Sequence, residues 1–415
     1  MLLRSYYPHM QTVDAAGLGI GDDHPPRIMG VLNVSEESPY DPSVYDDPGE
    51  AAAYVDDELI GGGADIVDVG LESANKRFEV LSAEGELERL DTAIETIESV
   101  SGDAVFSIET RYASVAEAAL DRGFDMVNDI CGFADPRMPE VCREYDVAVA
   151  KMASPADLER PGAIEAIDWE QRHSAEWAAN ADYVDRLYEA LKQNGMTDKT
   201  IVDPAFGGWS EAKTIEDDQT TFHRLREFRG FGQPMLVSIN RKNFLGDVAG
   251  RRTDERLPVS LAATSMAVER GAHVIRTHDV GETVDAAAIG HEFGRSSSRR
   301  AGSDVSAEQL DVRTAGDVER HLDRIGAPEA DPDALVTRTI ELSGVSAATA
   351  ELVADVAESA GVSFVAGAKS SLLVGSDRAL RSVVERLSET TDSATANEPE
   401  TDRESVTNAL RTVLE

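Results

Sequence analysis

Polar side chains follow eight short apolar runs between residues 27 and 293, and their types could bind a charged heterocycle. The runs are typical of β-strands: 28–34, 65–69, 104–108, 126–128, 147–152, 200–202, 235–239 and 273–277. The polar residues at or just after their ends are Asn33, Glu72, Ser73, Glu109, Asn128, Lys151, Asp203, Arg241, Lys242, Arg276 and His278. One such residue can simply begin a loop. Eight strand ends that all become polar favour a shared site.

The polar residues divide into two chemical groups. The first has two carboxylates, an amide and an ammonium: Glu109, Asn128, Asp203 and Lys242. A carboxylate can accept both the ring N–H and the adjacent amino group of an aminopyrimidinone. The second group suits an anion and a hard cation: Asn33, Arg276, His278 and Arg241. An asparagine oxygen can bind Mg²⁺, whose other ligands would be water and phosphate. A flat heterocycle that carries a diphosphate fits both groups.

Helical patterns alternate with these strands and predict how the polar residues are positioned. They include 50–60, 87–100, 114–122 and 257–270. Several end on a glycine and pass at once into the next strand, as at Gly63, Gly123 and Gly271, which is typical of βαβ units. Eight strand–helix repeats predict a TIM barrel, an α/β fold whose strand ends meet at one face. An open doubly wound sheet would also alternate, but usually with fewer strands.

The motifs at the strand ends resemble, in order, those of the dihydropteroate synthase family. The matching segments are 29–35, 64–70 with Glu72 and Ser73, 107–110, 128–130, 203–204, 241–244 and 276–280. The resemblance covers about residues 27–293 and implies a TIM barrel. It also implies that the chain joins 4-aminobenzoate to 6-hydroxymethyl-7,8-dihydropterin diphosphate, releasing diphosphate and forming dihydropteroate for folate biosynthesis.

The resemblance also assigns roles to the matching residues. Asn33 would hold Mg²⁺, the expected cofactor, on the diphosphate, and Asp41 in the first loop would assist. Arg276 and His278 would clamp the diphosphate, which completes the expected catalytic set. The expected substrate-binding residues are Ser73, Glu109, Asn128, Met152, Asp203, Phe206, Arg241 and Lys242. A homodimer is expected by analogy with the family.

Several segments depart from the family pattern. The first loop reads Ser-Glu-Glu-Ser-Pro at 35–39, where the family usually has T-P-D-S-F. The second reads Ala-Asn-Lys at 74–76 instead of T-R-P, and strand three ends on Glu109 instead of aspartate. Segment 205–210 lacks the usual F-G-K pattern. Because the loops that differ close over 4-aminobenzoate in the family, the departures concern the second substrate more than the pterin.

Charge is the strongest compositional feature. The chain has 78 acidic and 39 basic residues, a net charge of −39, and only 7 of the basic residues are lysines. A protein that binds duplex nucleic acid needs a basic face, so nucleic acid is not an expected partner. Acidic residues spread along the whole length predict a halophilic protein, whereas an acidic interaction tail would concentrate them at one end.

The remaining segments define the expected domains. We expect an N-terminal extension at 1–26, the barrel at 27–295, a linker at 296–303, a small α+β domain at 304–390, and an acidic linker with a terminal helix at 391–415. In the α+β domain two helical patterns precede strands at 362–366 and 371–374. The sequence around Gly367 superficially resembles a phosphate-binding loop but lacks the upstream glycine, so a hairpin turn is the better interpretation.

Composition also bears on where in the cell the protein is located. The chain has no apolar stretch near the roughly 18 residues of a membrane helix and no signal-peptide pattern, which predicts a cytoplasmic protein without a membrane partner. Its two cysteines agree with a reducing compartment.

Two other functions stay open. A pterin-binding methyltransferase module that methylates a corrinoid would share the barrel but need no diphosphate clamp. A non-catalytic pterin-binding protein is the other alternative.

Overall fold

A computed structural model describes residues 10–34, 43–72, 80–294, 299–301, 306–389 and 399–414. The chain divides into two compact units, Met1–Leu310 and Asp311–Glu415. In the described ranges no helix combines the length and the apolar character that a membrane crossing requires.

The first unit is built around a closed parallel barrel. Its strands are β1 Val13–Ala15, β2 Leu18–Ile20, β3 Arg27–Asn33, β4 Ile66–Gly70, β5 Val105–Thr110, β6 Met126–Asp129, β7 Ala148–Met152, β8 Thr200–Asp203, β9 Leu236–Val237, β10 Val274–Thr277, β11 Arg299–Ala301 and β12 Ser306–Glu308. The barrel strands run in the order β8-β7-β6-β5-β4-β3-β10-β9. A parallel bridge between Val202 and Met235 joins the two end strands. This closure confirms the predicted TIM barrel and excludes an open doubly wound sheet.

Helices connect the strands in the manner of βα repeats. They are α1 Pro48–Tyr54, α2 Ala83–Ser99, α3 Ala113–Leu120, α4 Met138–Glu144, α5 Trp169–Arg172, α6 Ala175–Asn180, α7 Tyr183–Lys192, α8 Ile215–His223, α9 Asn243–Ala249, α10 Leu257–Glu269 and α11 Val280–Glu292. A π-helical turn, Val55–Ile60, continues α1. The four helices predicted from the pattern are confirmed, with shifts of a few residues at their ends.

A β-hairpin covers the amino-terminal end of the barrel, where the sequence predicted only an extension. β1 and β2 pair antiparallel, and Val13 and Ile20 pack in the same apolar cluster as Met29 of β3. His273 Nδ1 accepts from the Met235 N–H, so its Nε2 carries the proton and donates to Asp22 at 2.8 Å. The hairpin therefore closes this end with apolar side chains and leaves the opposite end for a site.

The second unit is a small α+β fold, as predicted. Its strands, in the antiparallel order β13-β15-β14, are β13 Thr337–Ser343, β14 Ser363–Ala366 and β15 Ser370–Ser376. Its helices are α12 Ala315–Ile325, α13 Ala347–Ser359, α14 Asp377–Glu389 and α15 Pro399–Leu414. Leu373, Val353, Leu380 and Leu410 are among the residues of its core.

Three details of the second unit bear on the sequence interpretation. β13 was missed, because only Ile340 and Leu342 of this strand are buried and its other residues are polar or charged. The Gly367 N–H donates to the Ser370 carbonyl at 2.9 Å, which confirms the hairpin turn. α15, Pro399–Leu414, is a helix at the end of the span 391–415, where the sequence predicted a terminal helix after an acidic linker.

Candidate active site

Strand alternation directs the predicted site residues into the barrel. Along β5, β6, β8 and β10 the lower interior layer contains Val105, Met126, Ile201 and Val274. Because every second residue of a strand faces the same side, Glu109, Asn128, Asp203 and Arg276 face the interior above that layer. The sequence pattern and the fold thus bring together both chemical groups at the carboxyl ends of the strands.

Arg276 lies between two carboxylates in the centre of the barrel. Its Nε donates to Asp68 Oδ2 at 2.7 Å and its Nη2 donates to Glu109 Oε2 at 2.6 Å. Burial raises the pKa of Glu109 above its usual value, although Arg276 opposes this effect. The guanidinium therefore neutralises part of the negative charge of Asp68 and Glu109, whereas the family resemblance assigned it only to the diphosphate.

Asp68 is a site residue that the sequence interpretation did not single out. It is fully buried on β4, and its Oδ2 also accepts from Asn128 Nδ2 at 2.8 Å. Its Oδ1 is buried and makes no hydrogen bond within the described residues. An unsatisfied buried acceptor is costly and suits a ligand N–H. The available signal was a charged residue inside the otherwise apolar run Ile66–Gly70.

Asp203 and Lys242 form a second side of the site, the ring-binding wall. Asp203 Oδ1 accepts from the Ala205 N–H at 2.7 Å, and burial raises the pKa of its carboxyl group to about 6. Burial, with the positive charge of Arg276 next in importance, lowers the pKa of Lys242. The Lys242 Nζ lies 5.9 Å from the ring centroid of Trp209. A carboxylate and an ammonium in this setting can bind the polar edge of a heterocycle.

The raised pKa of Asp203 predicts how pterin binding depends on pH. Below about pH 6 the carboxyl group is protonated in the free protein and can no longer accept two N–H groups. We expect the affinity for 6-hydroxymethylpterin to be constant above pH 7 and to fall by up to about tenfold per pH unit below 6. Calorimetric titration between pH 5 and 8 measures this, with Asp203→Asn as control. An affinity as strong at pH 5 as at pH 8 would contradict the assignment.

The side of the site that would bind an anion, with Asn33, Arg241, Arg276 and His278, contains fewer positive charges than the sequence suggested. Burial, followed by the charges of Arg276 and Lys242, lowers the pKa of His278 to about 3, so its imidazole is neutral. Arg241 binds Asp279 with two bonds, Nε to Oδ2 and Nη2 to Oδ1, both 2.8 Å long. Arg241 and Arg276 are thus both paired with carboxylates, and neutral His278 can contribute an N–H donor.

Asn33 lies where its side-chain oxygen could meet a cation. Its Nδ2 donates to Ser43 Oγ at 2.9 Å, which orients the amide. A Cβ built on Gly70 would lie 3.1 Å from Asn33 Oδ1 and 3.8 Å from Glu109 Oε1. Because glycine has no side chain, a small space remains between these two oxygens. Two oxygen ligands fit Mg²⁺ with water and phosphate in its other positions. Among the described residues no cluster of three His, Cys, Asp or Glu side chains could hold a metal.

The other predicted site residues lie in different settings. Met152 is buried on the interior side of β7, next to Asp203 in register. Lys151 points outward, where its Nζ donates to the carbonyls of Leu191 (2.9 Å), Gln193 and Gly195. The ring of Phe206 packs on Phe244 and Phe222 in the apolar core, with centroid separations of 5.7 and 6.2 Å. Asp41 and Ser73 lie outside the described residues.

Comparison with known proteins identifies the family. Residues 29–278 match the family described as pterin binding enzyme. The dihydropteroate synthase of Bacillus subtilis is 32% identical over 258 residues, which are 61% of this chain and 83% of that protein. The chain belongs to the dihydropteroate synthase family. This membership confirms the resemblance seen at the strand ends.

Other members of the dihydropteroate synthase family show how far the likeness extends. A probable bifunctional folylpolyglutamate synthase/dihydropteroate synthase of Halobacterium salinarum is 33% identical over 263 residues, 63% of this chain, and the chain covers 31% of that protein. The structure of the Coxiella burnetii dihydropteroate synthase in complex with pteroic acid is 28% identical, with a TM-score of 0.53, over 68% of this chain and 97% of that one. Its high coverage agrees with a complete family barrel in the first unit.

Proposed function

We propose that the chain is a dihydropteroate synthase that uses 6-hydroxymethyl-7,8-dihydropterin diphosphate and 4-aminobenzoate. The observation that carries this proposal is the interior set around Arg276, in which two carboxylates bind the guanidinium and an amide binds one of them at the carboxyl end of a family barrel. The amine nitrogen attacks the methylene carbon of the pterin, the bond to diphosphate breaks, and the nitrogen loses a proton.

The pterin ring is placed by the buried acceptors. Asp203, once ionised, accepts from the ring N–H and the neighbouring amino group. Asp68 Oδ1 is a further buried acceptor, and Asn128 lies next to Glu109 in register. Lys242 donates to an acceptor of the ring. Fixed groups of this kind orient the methylene carbon for attack without further reorganisation.

The diphosphate is expected at Arg276, His278 and Asn33. Arg276 would exchange contacts between its carboxylates and the incoming anion, and neutral His278 donates an N–H. Asn33 Oδ1 and Glu109 Oε1 would hold Mg²⁺. The ion, when bound, supplies positive charge that stabilises the departing diphosphate. The assignment of 4-aminobenzoate follows the family, since the loop segments at 35–42 and 73–79 lie outside the described residues.

Binding of the first substrate tests this proposal. Calorimetric titration of the full chain with the dihydropterin diphosphate and Mg²⁺ should give one site with micromolar or tighter affinity. A reduced pterin methylated at N5 serves as the comparison ligand, because a corrinoid methyltransferase module would prefer it. Binding of the methylated pterin alone would exclude the synthase and favour methyl transfer.

The composition and the fold support the remaining parts of the proposal. We infer a cytoplasmic, halophilic enzyme, because its net charge is −39 and acidic residues occur along the whole chain. Assays therefore belong in molar KCl. The relative named above from Halobacterium agrees with this setting.

An apolar strip on α10 and α11 predicts a homodimer. Ile289 and Phe293 are four residues apart on or just after α11 and are 55% and 78% exposed, and Met266 on α10 is 46% exposed. The two helices pack closely, since a Cβ on Gly290 would lie 2.5 Å from the Ser265 carbonyl oxygen. Exposed apolar groups on neighbouring helices are typical of an interface between protein chains. Light scattering in molar KCl should give about twice the chain mass of 44.7 kDa.

A matched pair of variants tests the location of this interface. Ile289→Asp should give a monomer of unchanged fold, because a charge on the strip opposes association. Val248→Asp alters another exposed apolar residue, 75% exposed on α9, and should leave the dimer intact. A dimer that survives Ile289→Asp, or a monomeric parent chain, would exclude the strip as the interface.

A further inference from the structure

A buried ion pair lies next to the ring-binding wall and has no role in the steps above. Lys213 Nζ and Asp218 Oδ1 are 2.8 Å apart, and their side chains are only 1% and 7% exposed. Buried charges persist only when hydrogen bonds and partners compensate for lost water. Each member of this pair makes such a bond to the same short segment of backbone, Ala205–Gly207.

Lys213 and Asp218 hold the two ends of that segment. Lys213 Nζ donates to the Ala205 carbonyl oxygen at 2.6 Å. Both carboxylate oxygens of Asp218, on α8, lie within hydrogen-bond distance of the Gly207 N–H, at 3.2 and 3.1 Å. Ala205 has a φ of 59° and Gly207 a φ of 115°, and left-handed backbone of this kind persists when surrounding contacts enforce it. The pair supplies those contacts.

The segment touches both polar residues of the wall. The Ala205 N–H donates to Asp203 Oδ1 at 2.7 Å. A Cβ built on Gly207 would lie 2.9 Å from Lys242 Nζ, so the glycine backbone itself forms the surface against which the ammonium lies. A displacement of the segment would therefore change both the orientation of the Asp203 carboxylate and the space available to the Lys242 ammonium.

We propose that Lys213 and Asp218 are positioning residues that fix Ala205–Gly207 and thereby set the distance between Asp203 and Lys242 for the pterin ring. The pair also keeps the charge behind the wall balanced, because one ammonium is matched by one carboxylate. This inference rests on the proposed function, which places the ring against Asp203 and Lys242. It goes beyond that function by giving pterin affinity a determinant that does not touch the substrate.

The experiment measures the affinity for 6-hydroxymethylpterin without diphosphate, by calorimetry in molar KCl. Lys213→Met and Asp218→Asn should each weaken binding about tenfold, because each leaves one charge unmatched and loosens the segment. The double variant should also bind about tenfold more weakly, and not a hundredfold, because either change alone already releases the segment. The KM for 4-aminobenzoate should stay unchanged. Lys192→Met, which removes the exposed pair with Glu189, is the control.

The outcomes separate positioning from a purely structural role. Single variants that melt at lower temperature but bind the pterin as the parent does would overturn the inference, as would losses that simply add in the double variant. If Lys213→Met fails to fold, Lys213→Arg takes its place, because it keeps the charge but changes the donor to Ala205, and an unchanged affinity there would also overturn the inference. A parent chain that binds no pterin would instead remove the proposed function.

Discussion

Replacing Lys242 with methionine is expected to weaken the binding of plain 6-hydroxymethylpterin by on the order of 30-fold, because a hydrogen bond from a charged group contributes about 1.5–3 kcal/mol. Methionine keeps an unbranched stem of similar size and removes the ammonium. The residue is partly buried beside Gly207 and Trp209, so water replaces the lost donor poorly once the ring is bound. Calorimetric titration with the plain pterin and with its diphosphate measures both losses, which should be equal.

His278 provides the comparison that gives this result its meaning. His278→Ala should weaken only the diphosphate form, by about 10- to 30-fold, because a donor to a charged group is lost. Since burial holds the pKa of His278 at about 3, the neutral ring acts through its N–H, and His278→Gln should recover much of the affinity. If His278→Ala, like Lys242→Met, weakened the plain pterin and its diphosphate equally, the division into a ring side and a diphosphate side would be wrong.

The second large effect is expected at Asn33. Asn33→Ala should lower kcat/KM by about 100-fold, as when one group that stabilises a leaving charge is lost. The pterin pocket stays intact in this variant, so the affinity for the plain pterin should not change. Turnover measured against Mg²⁺ concentration shows whether the loss reflects the metal, because the variant should need far more Mg²⁺ for half-maximal rate.

Ser43 supplies the graded control for Asn33. Ser43→Ala keeps the amide but removes the acceptor, 2.9 Å away, that orients it, and we expect a loss of only a few-fold. If Asn33 merely caps a turn, Asn33→Ala would cost about 1 kcal/mol of stability and turnover would stay normal. Full activity in EDTA would remove Mg²⁺ from the account altogether.

The barrel could be predicted from the sequence because its rules are local. Parallel strands covered on both faces read as apolar runs, and a glycine after several of the helices marks the turn into the next strand. The hairpin at Val13–Ile20 could not be found in this way, because its strands are three residues long and depend on packing against the barrel. β13 was missed for a related reason, since its few buried residues are interspersed with threonine, arginine and glutamate side chains.

The sequence predicted which strand ends contribute polar side chains but not how those side chains pair, and it left out Asp68. Because strand ends can be read one by one, Glu109, Asp203 and Lys242 could be named as candidates. Pairing depends on which side chains meet across the barrel, and the Arg276 contact with Asp68 joins residues 208 positions apart. Arg241 and Asp279 lie 38 positions apart, so the sequence also did not show their ion pair, which engages a cation expected at the diphosphate.

Formation of 7,8-dihydropteroate is the most direct test of the account. The purified full chain is incubated in molar KCl with the dihydropterin diphosphate, 4-aminobenzoate and Mg²⁺, and products are separated by chromatography. The account predicts dihydropteroate and diphosphate in equal amounts, with almost none from the Lys242→Met variant at subsaturating substrate. Failure of the parent chain to consume the pterin diphosphate, with the ligand bound and Mg²⁺ present, would contradict it.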